Sequence, residues 1–413
     1  MTLIAVVISL VFLYSLVSAR LERTVLTAPI VFTTAGLVVH ACSLRIPNGP
    51  EAMKIFLHLA EIGLVMLLFT DASRTNLQVL GRIRNLPVRL LSTGMLLTIF
   101  LGAVCAKLVF PGLSLWEAGI LSAILAPTDA GLGQVIVNSS RVPMKIRQAL
   151  NVEAGLNDGL SVPFLMFFMA LAQSPHTTAE PSLLRFMLEQ LGYGVVVGCG
   201  IGFFGGWLLG RAQARKWVAE SFSKLGLVAL PGLCGLVSEA VGASMFIAAF
   251  VAGLAVQVRF QDAGKHSVEF TEDWGQIINC SVFFLFGLIV AGNWQQCGIA
   301  AVGYAVLSLT VVRMLPVAIS LAGTKLDRST VLFMGWFGPR GLASIVLGLV
   351  YLEQHLGSTG QATIRLAVMV TVFLSIFAHG LSALPGISFY ARRVAELNAG
   401  AAELAEDNLP MKG

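Results

Sequence analysis

The chain has 413 residues, of which 56% are hydrophobic and only 12% are charged, whereas soluble domains contain about 25% charged residues. This composition and the mean hydropathy of +0.82 exclude a water-soluble enzyme and indicate an integral membrane protein. The net charge of +5 does not indicate a nucleic-acid-binding protein, because the basic residues lie in short gaps between apolar runs, where membrane proteins are anchored.

The apolar runs are long enough to cross a bilayer as helices. A transmembrane helix needs about 20 predominantly apolar residues, and separating the runs at charge clusters, proline and glycine gives thirteen candidates. We therefore predict an all-α integral membrane protein with one transmembrane domain, residues 1–390, and a short tail, residues 391–413. The predicted helices cover residues 2–18, 27–45, 52–71, 87–110, 115–139, 147–172, 183–210, 222–241, 243–258, 277–293, 298–322, 329–354 and 362–385.

The distribution of basic residues orients the predicted helices. With the N-terminus outside, the inside segments contain twenty Lys and Arg residues and the outside segments contain five. Basic residues concentrate on the cytoplasmic side of membrane proteins. We therefore expect the N-terminus outside and the polar tail in the cytoplasm, in a bacterial-type inner or plasma membrane.

The fifth and twelfth predicted helices carry helix breakers near their centres. In the fifth helix Pro127 is followed by Asp129, and in the twelfth the pair Pro339–Arg340 stands between two glycines. Proline removes a backbone donor and clashes with the preceding turn, so both helices should be interrupted. Backbone groups freed at membrane depth are tolerated only where they line a cavity or are buried in protein.

The two breaks lie 212 residues apart, about half of the chain. Interrupted helices at matching places in two halves are typical of inverted-repeat transporters, whose site lies at the membrane midplane. The twelfth helix follows the fifth by seven positions, and because this offset is odd, the second broken helix crosses in the opposite direction. Like ends of the helix dipoles then meet. Asp129 can then neutralise N-termini and Arg340 can neutralise C-termini. The alternative, two independently kinked helices, leaves these opposite charges unexplained.

The sixth predicted helix carries an acidic residue near its midpoint. Glu153 and Asn157 are four residues apart and share one face, with Asp158 one residue further round. A charged carboxylate at this depth is costly and rare unless functional or paired, so we expect Asp158 to be functional, with a structural ion pair as the alternative. Pairing is the favoured role of Glu153, because Arg313 in the eleventh helix needs a partner. Asp71 either ends the third helix as an ordinary polar residue or lines an ion funnel.

These side chains favour exchange of a monovalent cation for a proton. Na⁺ prefers oxygen ligands, which Asp158, Thr128 and the freed carbonyl groups at 126–130 can supply. A proton competes for the same carboxylate. Occupied by either ion, Asp158 is neutral and its domain can move past the apolar barrier, whereas the empty site is charged and held back. We expect no cofactor and no enzymatic activity, since no His, Cys or Ser constellation converges on the acids.

Three motifs resemble the monovalent cation/proton antiporter family over nearly the whole chain. They are NVEAGLND at 151–158, the Thr128–Asp129 pair at a helix break, and GPRG at 338–341. The Asn157–Asp158 pair resembles the Asn-Asp form of NhaP-type sodium/proton antiporters, whereas the electrogenic branch typically has two aspartates. The resemblance implies an NhaA/NhaP-like fold with inverted repeats and two crossed broken helices. It also implies electroneutral 1:1 exchange of Na⁺ (or Li⁺) for H⁺, with a role in pH homeostasis.

The resemblance further implies a homodimer within the lipid bilayer. Core helices at 87–172 and 298–385 would move in an elevator-like way against interface helices at 2–71 and 183–293. The candidate ion- and proton-binding residues are Asp158, Asn157, Thr128, Asp129 and Asp71, with Asp158 and Thr128 as Na⁺ ligands, Glu153 and Arg313 as an ion pair, and Pro127 and Arg340 at the crossover.

The sequence departs from the family pattern at two positions. Relatives often have Ser where this chain has Ala154, and many have Pro where it has Ala130. If a ligand is missing at the first position, Asp71 or water replaces it, or the site favours K⁺. A K⁺/H⁺ antiporter of the same fold is therefore the nearest alternative. An organic-anion symporter or a channel on a related scaffold is more distant.

Overall fold

The computed structural model describes residues 2–21, 24–42, 50–74, 85–173, 181–259, 264–353, 360–397 and 401–403, and all regular structure in these residues is helical. The first half contains α1 Thr2–Leu21, α2 Ala28–Ala41, α3 Pro50–Arg74, α4 Asn85–Arg89, a π-helical turn at Leu90–Gly94, α5 Met95–Val109, α6 Leu115–Leu125, α7 Ala130–Val137 and α8 Met144–Gln173. The second half contains α9 Pro181–Ala214, α10 Glu220–Val241, α11 Met245–Arg259, α12 Gly264–Asn293, α13 Ile299–Leu309, α14 Val311–Ser320, α15 Arg328–Trp336, α16 Leu342–Glu353 and α17 Gln361–Ala395.

The predicted all-helical membrane architecture is confirmed. Each predicted span coincides with one helix or with two consecutive helices. Within the described residues, eight helical stretches are long and apolar enough to cross a bilayer, and four shorter apolar helices accompany them. The total of thirteen crossings stays a prediction.

Both predicted breaks are present. Residues 126–129 separate α6 from α7, and residues 337–341 separate α15 from α16. The prolines lie in these two segments, where their missing N–H groups interrupt no helical hydrogen bond.

The structure differs from the prediction in three helices, two of which are interrupted and one of which begins earlier. The eleventh span is divided at Thr310 into α13 and α14, and the fourth span contains the π-helical turn; neither has a proline at the interruption. α12 begins at Gly264, whereas the prediction placed a loop up to residue 276. Charged residues end an apolar span, but they do not end a helix, so hydropathy alone misplaces this boundary.

One group of helices, α2, α3 and α9–α12, packs backbone against backbone through glycine; we call it the close-packed group. A Cβ at Gly36 of α2 would overlap the backbone of α12, and one at Gly287 of α12 would overlap the Thr33 carbonyl. Gly202 of α9 lies in the same way against Ala252 of α11. Small residues let helices approach this closely in a membrane, so the group is held by shape rather than by charge.

The second group, α4–α8 and α13–α17, contains both broken spans; we call it the crossover group. Within it α6 packs on α8, α13 on α17, and α7 on both α8 and α17. The two groups meet mainly where α8 and α16 contact α3, α11 and α12. The acidic helix α8 therefore lies at the boundary between the groups.

Candidate ion-binding site

Asp129 lies where the N-termini of two half-helices meet. It is the N-cap of α7, and its Oδ1 accepts a hydrogen bond of 2.9 Å from the Leu132 amide. Its Oδ2 accepts one of 2.6 Å from the amide of Leu342, the first residue of α16. Helix N-termini carry partial positive charge and unsatisfied N–H groups, so one carboxylate stabilises both.

Arg340 lies at the two opposing C-termini. Its Nε donates a hydrogen bond of 2.6 Å to the carbonyl of Leu125, the last residue of α6. Its Nη1 donates to the Gly338 carbonyl, just beyond the end of α15. The side chain is fully buried, and its positive charge is compensated by the negative ends of these helix dipoles.

Backbone contacts join the two breaks directly. The Asp129 amide donates to the Pro339 carbonyl at 2.8 Å, and the Arg340 amide donates to Ser375 Oγ of α17 at 2.6 Å. A Cβ at Gly341 would overlap the Asp129 carboxylate. The glycine after Arg340 is therefore required for Asp129 to reach the second helix.

Asp158 and Asn157 face the first break from α8, and both are 3% exposed. Asn157 Nδ2 donates a hydrogen bond of 2.6 Å to Thr128 Oγ1, which ties α8 to the segment before Asp129. Among the described residues, Asn157 Oδ1 and Asp158 Oδ1 accept no hydrogen bond. The site thus holds a buried carboxylate oxygen and a buried amide oxygen beside a hydroxyl, the donor types that Na⁺ prefers.

Asp71 approaches the same helix from α3. Its Cβ would lie 3.4 Å from a Cβ at Gly155, one turn before Asp158. Asp71 and Asp129 are both close enough to Asp158 to repel it electrostatically. In the described part of the chain no three His, Cys, Asp or Glu side chains form a metal-chelating cluster. The repulsion from Asp71 and Asp129 favours binding of a positive charge at Asp158.

The ion pair expected between Glu153 and Arg313 is present. Arg313 Nη1 lies 2.5 Å from Glu153 Oε1, and both side chains are buried. The guanidinium also packs over Gly338, where a Cβ would overlap it. The pair therefore connects α8 to α14 and to the second break, one helical turn away from Asn157.

A small cavity of ≈ 20 Å³ opens between the first break, α8 and the second break. Its lining includes Thr128, Asp129, Glu153, Ala154 and Pro339. This volume holds about one water molecule. Ala154 thus stands at the wall of a space that a longer polar side chain could reach.

The structure brings together all the candidate residues named from the sequence, with Asp71 at the edge. Ser375, which accepts from the Arg340 amide, was missed. His379 was missed as well: its Nδ1 lies 2.9 Å from the Ser375 carbonyl oxygen and 3.1 Å from the Ser375 hydroxyl. A Ser and a His four residues apart in an apolar span are the sequence signal that could have found this support.

The sequence is similar to those of known transporters. Residues 6–385 match the family described as sodium/hydrogen exchanger, transmembrane. A Na⁺/H⁺ antiporter of Schizosaccharomyces pombe is 27% identical over 315 residues, covering 67% of this chain and 65% of that protein. The K⁺/H⁺ antiporter NhaP of Alkalimonas amylolytica is 26% identical over 349 residues, covering 83% of this chain and 59% of that protein. In both cases the matched region is less than two thirds of the relative's length.

A solved structure has a similar fold. The sodium proton antiporter MjNhaP1 from Methanocaldococcus jannaschii superposes with a TM-score of 0.73 at 21% identity, covering 94% of this chain and 99% of that chain. At this identity the likeness establishes the overall fold alone, and not the transported ion.

Proposed function

The chain belongs to the sodium/hydrogen exchanger family, and from this premise we propose that it is a secondary active antiporter exchanging Na⁺ or Li⁺ for H⁺. The observation that carries the proposal is Asp158: a buried carboxylate with an unpartnered oxygen, next to Asn157, whose amide binds Thr128. An isolated carboxylate in such a place is costly unless it binds a positive charge. A cation and a proton therefore compete for it.

Competition at one carboxylate couples the two ions. Loaded with Na⁺ or H⁺, Asp158 is neutral and can cross between the two sides, whereas the empty carboxylate resists transfer through apolar surroundings. Asp129 is held by two helix N-termini and Glu153 by Arg313. These fixed charges are already compensated, which supports Asp158 as the carrier of the exchangeable charge. We propose electroneutral 1:1 exchange on this basis.

The two helix groups suggest how access alternates. The close-packed group is suited to stay fixed, and the crossover group, which carries Asp158, is suited to move against it. We propose that the close-packed group contributes the interface of a homodimer. We also propose that the protein lies in a bacterial-type inner or plasma membrane with the N-terminus outside and the C-terminus in the cytoplasm, as the basic residues indicate.

K⁺/H⁺ exchange is the second candidate. A relative of this activity, NhaP of Alkalimonas amylolytica, matches most of the chain. Ala154 favours this alternative, because it supplies no oxygen to the wall of the small cavity, and a site with fewer protein ligands binds a smaller cation less selectively.

Transport in everted membrane vesicles tests the proposal. With an acidic lumen reported by a pH-sensitive dye, Na⁺ or Li⁺ added outside should raise the luminal pH. Asp158→Asn should abolish this response, because an amide cannot carry the proton. The matched control is Glu396→Gln, the same acid-to-amide change at an exposed acid beyond the end of α17.

Four outcomes would each contradict a part of the proposal. Retained exchange in Asp158→Asn would overturn the assigned carrier, and a response to K⁺ alone would overturn the sodium assignment. Steady current across a planar bilayer would indicate a channel. An exchange rate that changes with an imposed membrane potential would argue against electroneutral stoichiometry.

A further inference from the structure

The first half of each broken span, α6 and α15, begins with a buried carboxylate that accepts a hydrogen bond from the N-cap amide. At α6 the N-cap Ser114 accepts from the Glu117 amide at 3.2 Å, and the Ser114 amide donates to Glu117 Oε2 at 2.7 Å. This reciprocal pair is a capping box, in which the third helical residue supplies the carboxylate. Glu117 is 4% exposed and also accepts from the Gly360 amide.

At α15 the carboxylate comes from the C-terminal tail instead. The N-cap is Asp327 and the third helical residue is Thr330, which has no carboxylate. Glu403 Oε1 accepts from the Asp327 amide at 2.6 Å and from the Thr330 hydroxyl at 2.9 Å. Glu403 therefore occupies the role at α15 that Glu117 has at α6.

The N-cap of α15 cannot supply this acceptor itself. The Asp327 carboxylate accepts from the Ser329 hydroxyl at 2.5 Å and from the Ser329 amide at 2.7 Å. These hydrogen bonds lower the pKa of the Asp327 carboxyl below its usual value. The Asp327 side chain is hydrogen-bonded to Ser329, the second residue of α15. The acceptor for the Asp327 amide is therefore a side chain from another segment, that of Glu403.

The same tail segment also contacts the acidic helix. Lys145, the second residue of α8, donates from Nζ to the Ala402 carbonyl at 2.9 Å. Glu403 is 3% exposed although it lies eight residues after the end of α17. Residues 401–403, the tail clip, thus join the first turn of α8 to the first turn of α15.

We propose that Glu403 is a positioning residue for ion exchange, capping the N-terminus of α15 through the Asp327 amide and holding α8 and α15 in register. α8 carries Asp158, and α15 leads into the break that carries Arg340. A clip between their first turns keeps the carboxylate aligned with the crossover while both move. Both contacts of the clip lie in the crossover group, so the clip travels with that group.

Transport by Glu403 variants is the first test, and its interpretation rests on the proposed antiport function. Glu403→Ala should lower the maximal exchange rate in everted vesicles about threefold to tenfold, the size expected for loss of one helix cap. The apparent KM for Na⁺ should change less than about twofold, because no atom that could ligate the ion is altered. Glu403→Gln should keep most of the rate, since its amide oxygen can accept both hydrogen bonds.

Two further variants separate capping from a general effect of the tail. Glu396→Ala removes another acid near the C-terminus, one that is exposed and paired with Arg393, and should leave the rate unchanged. The double variant Thr330→Glu with Glu403→Ala places a carboxylate on the third residue of α15, as Glu117 is on α6, and recovery of the rate would support capping as the role of Glu403. A Glu403→Ala rate equal to that of Glu396→Ala would overturn the proposal.

Hydrogen exchange measured by mass spectrometry on the purified full-length protein is independent of transport. The Asp327 amide should exchange about tenfold faster in Glu403→Ala than in the unaltered protein, and it should return towards the original rate in Glu403→Gln. Unchanged exchange at Asp327 would overturn the clip. If the unaltered protein transports no cation, the proposed function fails while this measurement still decides whether Glu403 caps α15.

Discussion

The close-packed group and the crossover group both depend on glycine, and in each group glycine makes room for a different partner. Between α2 and α12, Gly36 and Gly287 let two backbones touch. At the crossover, Gly341 leaves space for the Asp129 carboxylate to reach the amide of Leu342. Between α2 and α12 the contact is a close approach of two helix backbones. At the crossover the contact is between a carboxylate and the N-terminal amides of two helices.

This difference separates stability from function within one fold. Close packing in a membrane depends on van der Waals contact, so the cost of a misfit is spread over a whole helix pair. The crossover depends on a few charge-assisted hydrogen bonds in a low-dielectric interior. Small displacements there change the electrostatics beside Asp158 long before they unfold the protein. Matched glycine substitutions in the two groups test this distinction.

The largest effect is expected for Gly341→Ala. The added methyl group would displace the Asp129 carboxylate from the N-termini of α7 and α16. We expect exchange in vesicles to fall by about 100-fold, the loss that a misplacement of about 1 Å causes in functional sites. Losing the two N-terminal hydrogen bonds of Asp129 should lower the free energy of unfolding by about 0.5–2 kcal/mol, a smaller effect than the loss of exchange.

The control for that variant is Gly303→Ala in α13, in the same group, where a Cβ would meet nothing within 4 Å. It should exchange ions at the original rate. Equal exchange in Gly341→Ala and Gly303→Ala would mean that the bridge from Asp129 to α16 is not needed for transport.

The sequence predicts the crossover better than the packing around it. Pro127 and Pro339 predict the breaks because proline has a local steric effect, and the opposite charges of Asp129 and Arg340 follow from facing helix ends. The local sequence does not predict which groups these charges contact. That Asp129 meets Leu342, or that Arg340 meets Ser375, depends on contacts between distant segments. The interruption at Thr310 has no breaker residue, and no local pattern predicts it.

The second-largest effect is expected in the close-packed group, and it is a loss of stability. Gly287→Ala would force α12 away from the Thr33 carbonyl of α2. Because the obstacle is backbone, the helices must separate, and we expect the free energy of unfolding to fall by about 1–3 kcal/mol. Thermal unfolding in detergent measures this loss. Exchange by the remaining folded protein should keep its original apparent KM for Na⁺.

Gly232→Ala in α10 is the matched control for the stability measurement. A Cβ at Gly232 would meet nothing within 4 Å, so the change should stabilise the helix slightly or leave it unchanged, within about 1 kcal/mol. An altered KM for Na⁺ in Gly287→Ala would mean that the close-packed group shapes the ion site. The separation of stability from function would then be wrong.

The smallest effect is expected at the wall of the small cavity between α8 and the two breaks. Ala154→Ser places a hydroxyl next to a space of ≈ 20 Å³ that Thr128 and Asp129 also line. One further oxygen ligand contributes about 0.5–1.5 kcal/mol, so the apparent KM for Na⁺ or Li⁺ should fall about twofold to tenfold while that for K⁺ changes less. Stability should stay the same, because the hydroxyl occupies a cavity and displaces no backbone. If Na⁺ and K⁺ respond equally, the residue at position 154 does not touch the ion, and selectivity depends on Asp158, Asn157 and the break alone.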